Sequence, residues 1–147
     1  MSTVLIVDDE PSHLKLYSWV IERGGFHPLT ALVKNETVQL PEAKQIDLAV
    51  LDYRLGSHLT AVDVAKLLRN SYPEMPIVVL SDMLWMPDDI APYASGFVRK
   101  GEPEQLLETI NSALKADSQA AEKADSQATE KADSQAAEKA DSQAAES

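Results

Sequence analysis

Apolar residues gather in five short runs, and between the runs their spacing widens to every third or fourth position. The runs are Thr3–Val7, Phe26–Leu32, Asp47–Leu51, Pro76–Leu80 and Gly96–Arg99. Runs so short and continuous predict strands buried on both faces, as in a parallel sheet. Pro11 suits the first turn of a helix, where Leu14, Tyr17 and Ile21, widened by Leu16 and Val20, turn inward. Gly24-Gly25 ends it. Residues 35–44 predict a weak helix, with Asn35 as a cap and Pro41 inside or ending it. Thr60 caps a third helix, with Ala61, Val64, Leu67 and Leu68 inward and Asn70–Pro73 as the stop. Pro87 and Pro92 restrict a fourth helix over 86–94 to a turn or two. Pro103 opens a fifth, with Leu106, Leu107, Ile110, Ala113 and Leu114 in one stripe. Strand and helix thus alternate five times, which predicts an α/β fold with helices on both faces of a parallel sheet.

The pattern breaks after residue 114. From Lys115 an octad, KADSQAAE, runs four times to Ser147, with Thr129 replacing one alanine. This tail holds no Leu, Ile, Val, Phe, Tyr or Trp. An ideal octad overshoots whole helical turns by about 80°, so its alanines wander around the axis and form no seam. No Glu–Lys pair falls at i,i+3 or i,i+4 to support a helix, and Glu122 and Asp125 are like charges at i,i+3. We expect a globular domain at 1–114 and a low-complexity tail at 115–147, either a frayed extension of the fifth helix or disordered, but no coiled coil.

Charge narrows the partners. The chain carries −11, of which the tail contributes −4 through four Lys, four Asp and four Glu. Direct nucleic-acid binding needs clustered Lys and Arg and is not expected. There is no cysteine, hence no disulfide, thiolate metal site or cysteine nucleophile. The N-terminal run lacks a basic flank and no stretch reaches the ~20 apolar residues of a membrane span, so the expected location is the cytoplasm.

The chemistry sits at the strand ends. The first run stops at Asp8-Asp9, the third at Asp52, the fourth at Ser81-Asp82, and the fifth leads into Arg99-Lys100. Parallel neighbours would gather these groups at the carboxyl edge, where open α/β sheets place their ligands. Clustered carboxylates repel, and a hard cation such as Mg²⁺ relieves this with oxygen ligands. The alternative for Asp8 or Asp9 is simply to cap the first helix. Asp52 is the candidate nucleophile, since a carboxylate can attack phosphorus. The Lys100 ammonium and Ser81 hydroxyl suit the oxygens of a transferring phosphoryl group. His13, His27 and His58 show no metal spacing and are assigned to surface or loop.

Together VLIVDDEP, LDYRLG, VVLSD and GFVRKG resemble, in order and at strand ends, the motifs of response regulator receiver domains across 1–114. The resemblance implies a flavodoxin-like (βα)5 three-layer sandwich with a five-stranded sheet of order 2-1-3-4-5 and, here, a shortened fourth helix. It implies that Asp52 takes a phosphoryl group from a sensor histidine kinase or phosphotransfer protein. Asp9, Asp52 and the Arg54 carbonyl would bind Mg²⁺, with Asp8 acting mostly through water. Ser81 and Lys100 would hold the phosphoryl oxygens, and Phe97 would be the switch aromatic; otherwise Phe97 is fixed core.

Four positions depart from the family pattern. Gly101 replaces the proline after the lysine, Gly56 replaces a proline four residues past the acceptor, and the glycine before the third helix has no counterpart in Ser57–Ala61. Asp82, where a small residue is usual, adds an acid that should disfavour phosphate. Two functions are expected as alternatives. One is a stand-alone phosphoryl-accepting switch with protein-contact output to an unknown downstream protein. The other is a receiver-fold binding module acting without phosphorylation. An enzyme acting beyond its own phosphorylation and dephosphorylation is not expected, because a haloacid-dehalogenase-like phosphatase would need an acid where Arg54 stands. Finally, Met83, Leu84, Trp85 and Met86 follow the switch serine in a row. Either Leu84 and Trp85 fold back over the sheet as core, or Trp85 anchors a partner.

Overall fold

The structure, a computed structural model, describes residues 1–42, 45–56 and 58–117. The chain parts into two units, Met1–Leu114 and Lys115–Ser147. The octad repeats beyond residue 117, and the expectations attached to them, lie outside the described residues.

The first unit runs β1 (Thr3–Asp8), α1 (Pro11–Arg23), β2 (His27–Lys34), β3 (Thr37–Val38), β4 (Leu48–Asp52), α2 (Ala61–Ser71), β5 (Ile77–Ser81) and β6 (Gly96–Arg99). Residues 103–117 are helical, and we call this stretch α3. The sheet order is β3-β2-β1-β4-β5-β6. Every pairing is parallel except β2 with β3. The five parallel strands therefore follow the expected 2-1-3-4-5 order, with one short antiparallel strand added at the edge.

Alternation along the strands divides the core in two. Leu5, Val7, Ala49, Leu51, Ile77 and Val79 face α2, where they meet Ala61, Val64, Ala65 and Leu68. Val4, Ile6, Leu48, Val50, Val78 and Leu80 face the opposite layer and meet Leu14, Val20 and Ile21 of α1 and Leu106, Ile110 and Ala113 of α3. β4 and β5 are buried at every position, which is why their sequences are apolar without alternation.

The expected helix over 35–44 is absent among the described residues. β2 continues to Lys34, and Asn35 and Glu36 turn the chain back with φ of 53° and 63°. Positive φ at both central residues is the geometry of a tight two-residue hairpin. Val33 then pairs with Val38 and Lys34 with Thr37, whose hydroxyl donates to the Lys34 carbonyl at 2.8 Å. Val38 and Leu40 alternate toward the core, a strand period, and so outweigh the helical reading of Asn35.

α2 begins as expected. Thr60 accepts from the Asp63 amide, and the Asp63 carboxylate accepts from the Thr60 amide, a reciprocal cap. Its inner face differs by one position: Ala65 is buried and Leu67 is 42% exposed. At its end Arg69 donates to the carbonyls of Pro73, Met75 and Tyr93.

That last bond matters because no α-helix occupies 86–94. The segment forms turns, with Tyr93 N–H bonded to the Ile90 carbonyl at 2.9 Å. Ile90 is fully buried and Met86 packs on the α2-side core, so the segment is fastened without being helical. Leu84 and Trp85 do not fold back over the sheet: they are 67% and 69% exposed. Trp19 on α1 is also exposed and lies over the Arg23 guanidinium at 4.8 Å.

Replacing Thr60 with alanine removes the cap hydroxyl and should lower stability by about 1 kcal/mol. Thermal unfolding should then shift down by about 3–5 °C with unchanged spectra of the folded state. An unshifted midpoint would mean that packing alone fixes the start of α2.

Candidate functional site

Strand register brings the chemistry together. β1 and β4 pair with Val7 opposite Leu51, so Asp8 and Asp52 emerge side by side at the carboxyl edge. Asp52 lies opposite Leu80, and Ser81 opposite Arg99, which places Ser81 and Lys100 at the same edge. One carboxylate oxygen from each of Asp8, Asp9 and Asp52 lies within 4.8 Å of the others. Asp8 and Ser81 are fully buried, and Asp52 nearly so.

The oxygens are unequally satisfied. Asp8 Oδ1 accepts from the Asp9 amide at 2.7 Å and the Glu10 amide at 3.1 Å, which secures the entry to α1. Neither Asp8 nor Asp9 caps α1, whose N-cap is Glu10 without a side-chain cap bond; Asp8 instead holds the two amides that precede the helix while its carboxylate belongs to the cluster. Asp8 Oδ2 is buried without a hydrogen-bond partner. Asp52 Oδ1 lies 2.9 Å from Lys100 Nζ and accepts weakly from the Arg54 amide at 3.4 Å. Asp52 Oδ2 is likewise buried and unpartnered.

Orphaned carboxylate oxygens in a buried cluster carry an electrostatic penalty. Burial, then the charge of Asp52, push Asp8 up to about 7 from an ordinary value of 3.8. Burial alone would lower Lys100. The hydrogen bond and charge of Asp52, with Asp8 behind it, outweigh burial and leave the ammonium above its ordinary value. Two buried oxygens without hydrogen-bond partners, a third carboxylate within 4.8 Å and oxygen-only donors fit a hard divalent cation.

Several neighbours were not evident from the chain alone. His13, 40% exposed on α1, is a surface residue as expected, yet its Nδ1 also lies 3.3 Å from Asp8 Oδ2. Asp82 is not an isolated acid, because Arg54 Nε lies 3.3 Å from its Oδ1. The Tyr53 hydroxyl donates to Asp89 at 2.9 Å. Ser81 Oγ accepts from the Met83 amide at 3.1 Å. Phe97 is half-buried on the α2-side core, on the same sheet face as Ser81.

Both glycines that stand where the family has proline have left-handed backbones, φ 63° at Gly56 and 87° at Gly101. Proline is locked near −65° and cannot adopt either. A Cβ at Gly56 would also sit 2.6 Å from Asp9 Oδ2. The bare glycine thus leaves room for the Asp9 carboxylate.

Comparison with known proteins agrees with this geometry. Residues 4–111 match the response regulator receiver domain, and the chain therefore belongs to that family. Family members are phosphoryl-accepting signalling modules that generally use Mg²⁺ at an acidic pocket and act with histidine kinases or phosphotransfer proteins. The chain is 29% identical over 119 residues to the heme response regulator HssR of Staphylococcus saprophyticus, covering 78% of this chain and 52% of that protein. It is 36% identical over 78 residues to the alkaline phosphatase synthesis transcriptional regulatory protein PhoP of Bacillus subtilis, covering 53% and 32%. It thus spans about half or less of these curated relatives. A CheY-like receiver domain structure from Methanospirillum hungatei superposes with TM-score 0.66 at 19% identity, covering 81% of this chain and 98% of that one.

Gly56→Ala should strain the left-handed backbone by about 1 kcal/mol and displace the Asp9 carboxylate. Because that carboxylate is the end of a flexible side chain, Mg²⁺ affinity should fall several-fold while the unfolding midpoint drops by only a few degrees. Calorimetric Mg²⁺ titration beside thermal unfolding checks this. Unchanged Mg²⁺ affinity would show that Asp9 does not face the ion.

Proposed function

We propose that this chain is a phosphoryl-accepting switch in which Asp52 is the acceptor and the output is a protein contact. The observation that carries the reading is Asp52 itself, buried at a strand end, held by Lys100 through one oxygen and free of partners at the other. In the transfer, an Asp52 carboxylate oxygen forms a bond to phosphorus as the phosphorus–nitrogen bond of the donor's phosphohistidine breaks, and its electron pair returns to the imidazole. Lys100 then neutralises charge on the phosphoryl oxygens, and the Ser81 hydroxyl donates to them. Asp8, Asp9, Asp52 and the Arg54 carbonyl would hold Mg²⁺, which supplies the positive charge that lets these anions approach one another. Asp8 gives up its proton to such a site, since the cation favours the carboxylate that burial disfavours.

The chain acts, on this reading, as a stand-alone receiver in the cytoplasm, and its only catalysis is on its own phosphorylation and dephosphorylation. Two observations bear on this reading. No described helix is long and apolar enough to cross a membrane. The pairing of Asp82 with Arg54 removes part of the repulsion that an extra acid would offer to phosphate.

Incubation with acetyl phosphate and Mg²⁺, or with a phosphorylated histidine kinase, should add one phosphoryl group by mass spectrometry. Asp52→Asn should take none, and Lys100→Ala should be slowed at least tenfold. No modification under either donor would favour a binding module that works without phosphorylation.

A further inference from the structure

The surface just past Ser81 has features that phosphoryl transfer does not require. Leu84 and Trp85 are consecutive and about two-thirds exposed, on a segment with no helix to carry them. Leaving two such large apolar side chains in water forgoes the stabilisation that burial would give them. The segment is nevertheless fastened at both ends. Ser81 Oγ accepts from the Met83 amide at 3.1 Å, Arg54 Nε lies 3.3 Å from Asp82 Oδ1, and the Tyr53 hydroxyl donates to Asp89 at 2.9 Å. Met86 and Ile90 secure it from beneath. The apolar pair is thus a held ledge. Its rim is predominantly acidic: Asp82, Asp88 and Asp89 flank it, Arg54 is the cation that lies against Asp82, and neither Lys nor Arg occurs in sequence between Ser81 and Arg99.

We propose that Leu84 and Trp85 form a docking ledge for a basic amphipathic helix of a partner protein, and that phosphorylation of Asp52 strengthens the docking. The helix's apolar stripe covers the Leu–Trp pair, and its flanking Lys or Arg residues meet Asp82 and Asp88. Trp is well suited as the anchor, because it buries a large area with few rotatable bonds. An anionic membrane would be repelled by the same acids and by the chain's net charge of −11. Coupling follows from who holds the ledge. A phosphoryl group adds about −1.5 to −2 charge on Asp52, two residues from Arg54, and competes with Asp82 for the guanidinium. Ser81 Oγ, which holds the Met83 amide, is the hydroxyl drawn to the same phosphoryl group. Both ties at the base of the ledge therefore respond to phosphorylation, and Asp82 becomes available to a basic partner.

The coupling rests on the proposed phosphorylation of Asp52; the ledge itself does not. The test uses the full chain with Trp19→Phe, which leaves Trp85 as the sole tryptophan. Two synthetic helical peptides serve as probes, one of Leu and Lys with the leucines on one face, the other with Glu in place of Lys. Each is titrated in Mg²⁺ with and without beryllofluoride, a stable mimic of the phosphoryl group. The Lys peptide should shift Trp85 emission to the blue and saturate, binding at least fivefold tighter with beryllofluoride, and the Glu peptide should not bind. The Leu84→Ala/Trp85→Ala variant keeps every charge, so it should still take phosphate from acetyl phosphate yet bind labelled Lys peptide at least tenfold more weakly. Equal binding by that variant would reduce the effect to charge attraction and overturn the ledge. Binding indifferent to beryllofluoride, in protein that acetyl phosphate modifies, would overturn the coupling. If Asp52 accepts no phosphoryl group, the proposed function fails, while titration without beryllofluoride still decides the ledge.

Discussion

Three carboxylates meet at the carboxyl edge of a buried sheet, and one lysine answers them. Much of the architecture reads as the means of holding that arrangement against its own repulsion. Parallel register sets Asp8 beside Asp52, and neither can withdraw without pulling a buried strand out of pairing. Lys100 reaches them from just beyond β6, with its amide bonded to the Ser81 carbonyl at 2.8 Å. Two left-handed glycines shape the loops on either side, and one leaves Asp9 its space. The fold thus keeps a set of charges that would separate freely in an unfolded chain.

That arrangement links proton, cation and stability. Asp8 binds its proton more tightly folded than unfolded, because burial and Asp52 raise it to about 7 from 3.8. In metal-free protein its stabilising contribution is therefore complete below about pH 4 and is lost as pH rises through about 7. A cation bound there would replace the proton and reverse the trend at neutral pH. Proton and cation would compete for the same oxygens, so cation loading would be favoured at neutral and higher pH.

The strand ends were legible because short apolar runs stop abruptly at acids, and a parallel sheet leaves such acids at one edge. The hairpin at Asn35–Glu36 was not, because Asn serves both as a helix cap and at positive φ, and Glu36 gives no hint of a left-handed turn. Leu67 falls outside the buried face because Ala61, Val64, Ala65 and Leu68 already form an i, i+3, i+4, i+7 stripe, and Leu67 lies well to one side of it. The ties among Arg54, Asp82, Tyr53 and Asp89 join different loops, and no local spacing encodes such contacts. His13 lies on the surface as expected, but the start of α1 also sets its ring beside Asp8, a contact that a search for paired metal ligands along the chain does not reveal.

The central claim is that Asp8 holds a proton which a cation must displace. Calorimetric Mg²⁺ titration at pH 6, in two buffers of different ionisation enthalpy, measures that proton directly. The account predicts release of most of one proton per Mg²⁺ at about pH 6, falling to near zero at about pH 8.5, and none in Asp8→Asn. An apparent binding enthalpy independent of buffer at pH 6 would mean that Asp8 is already ionised, and would contradict the account.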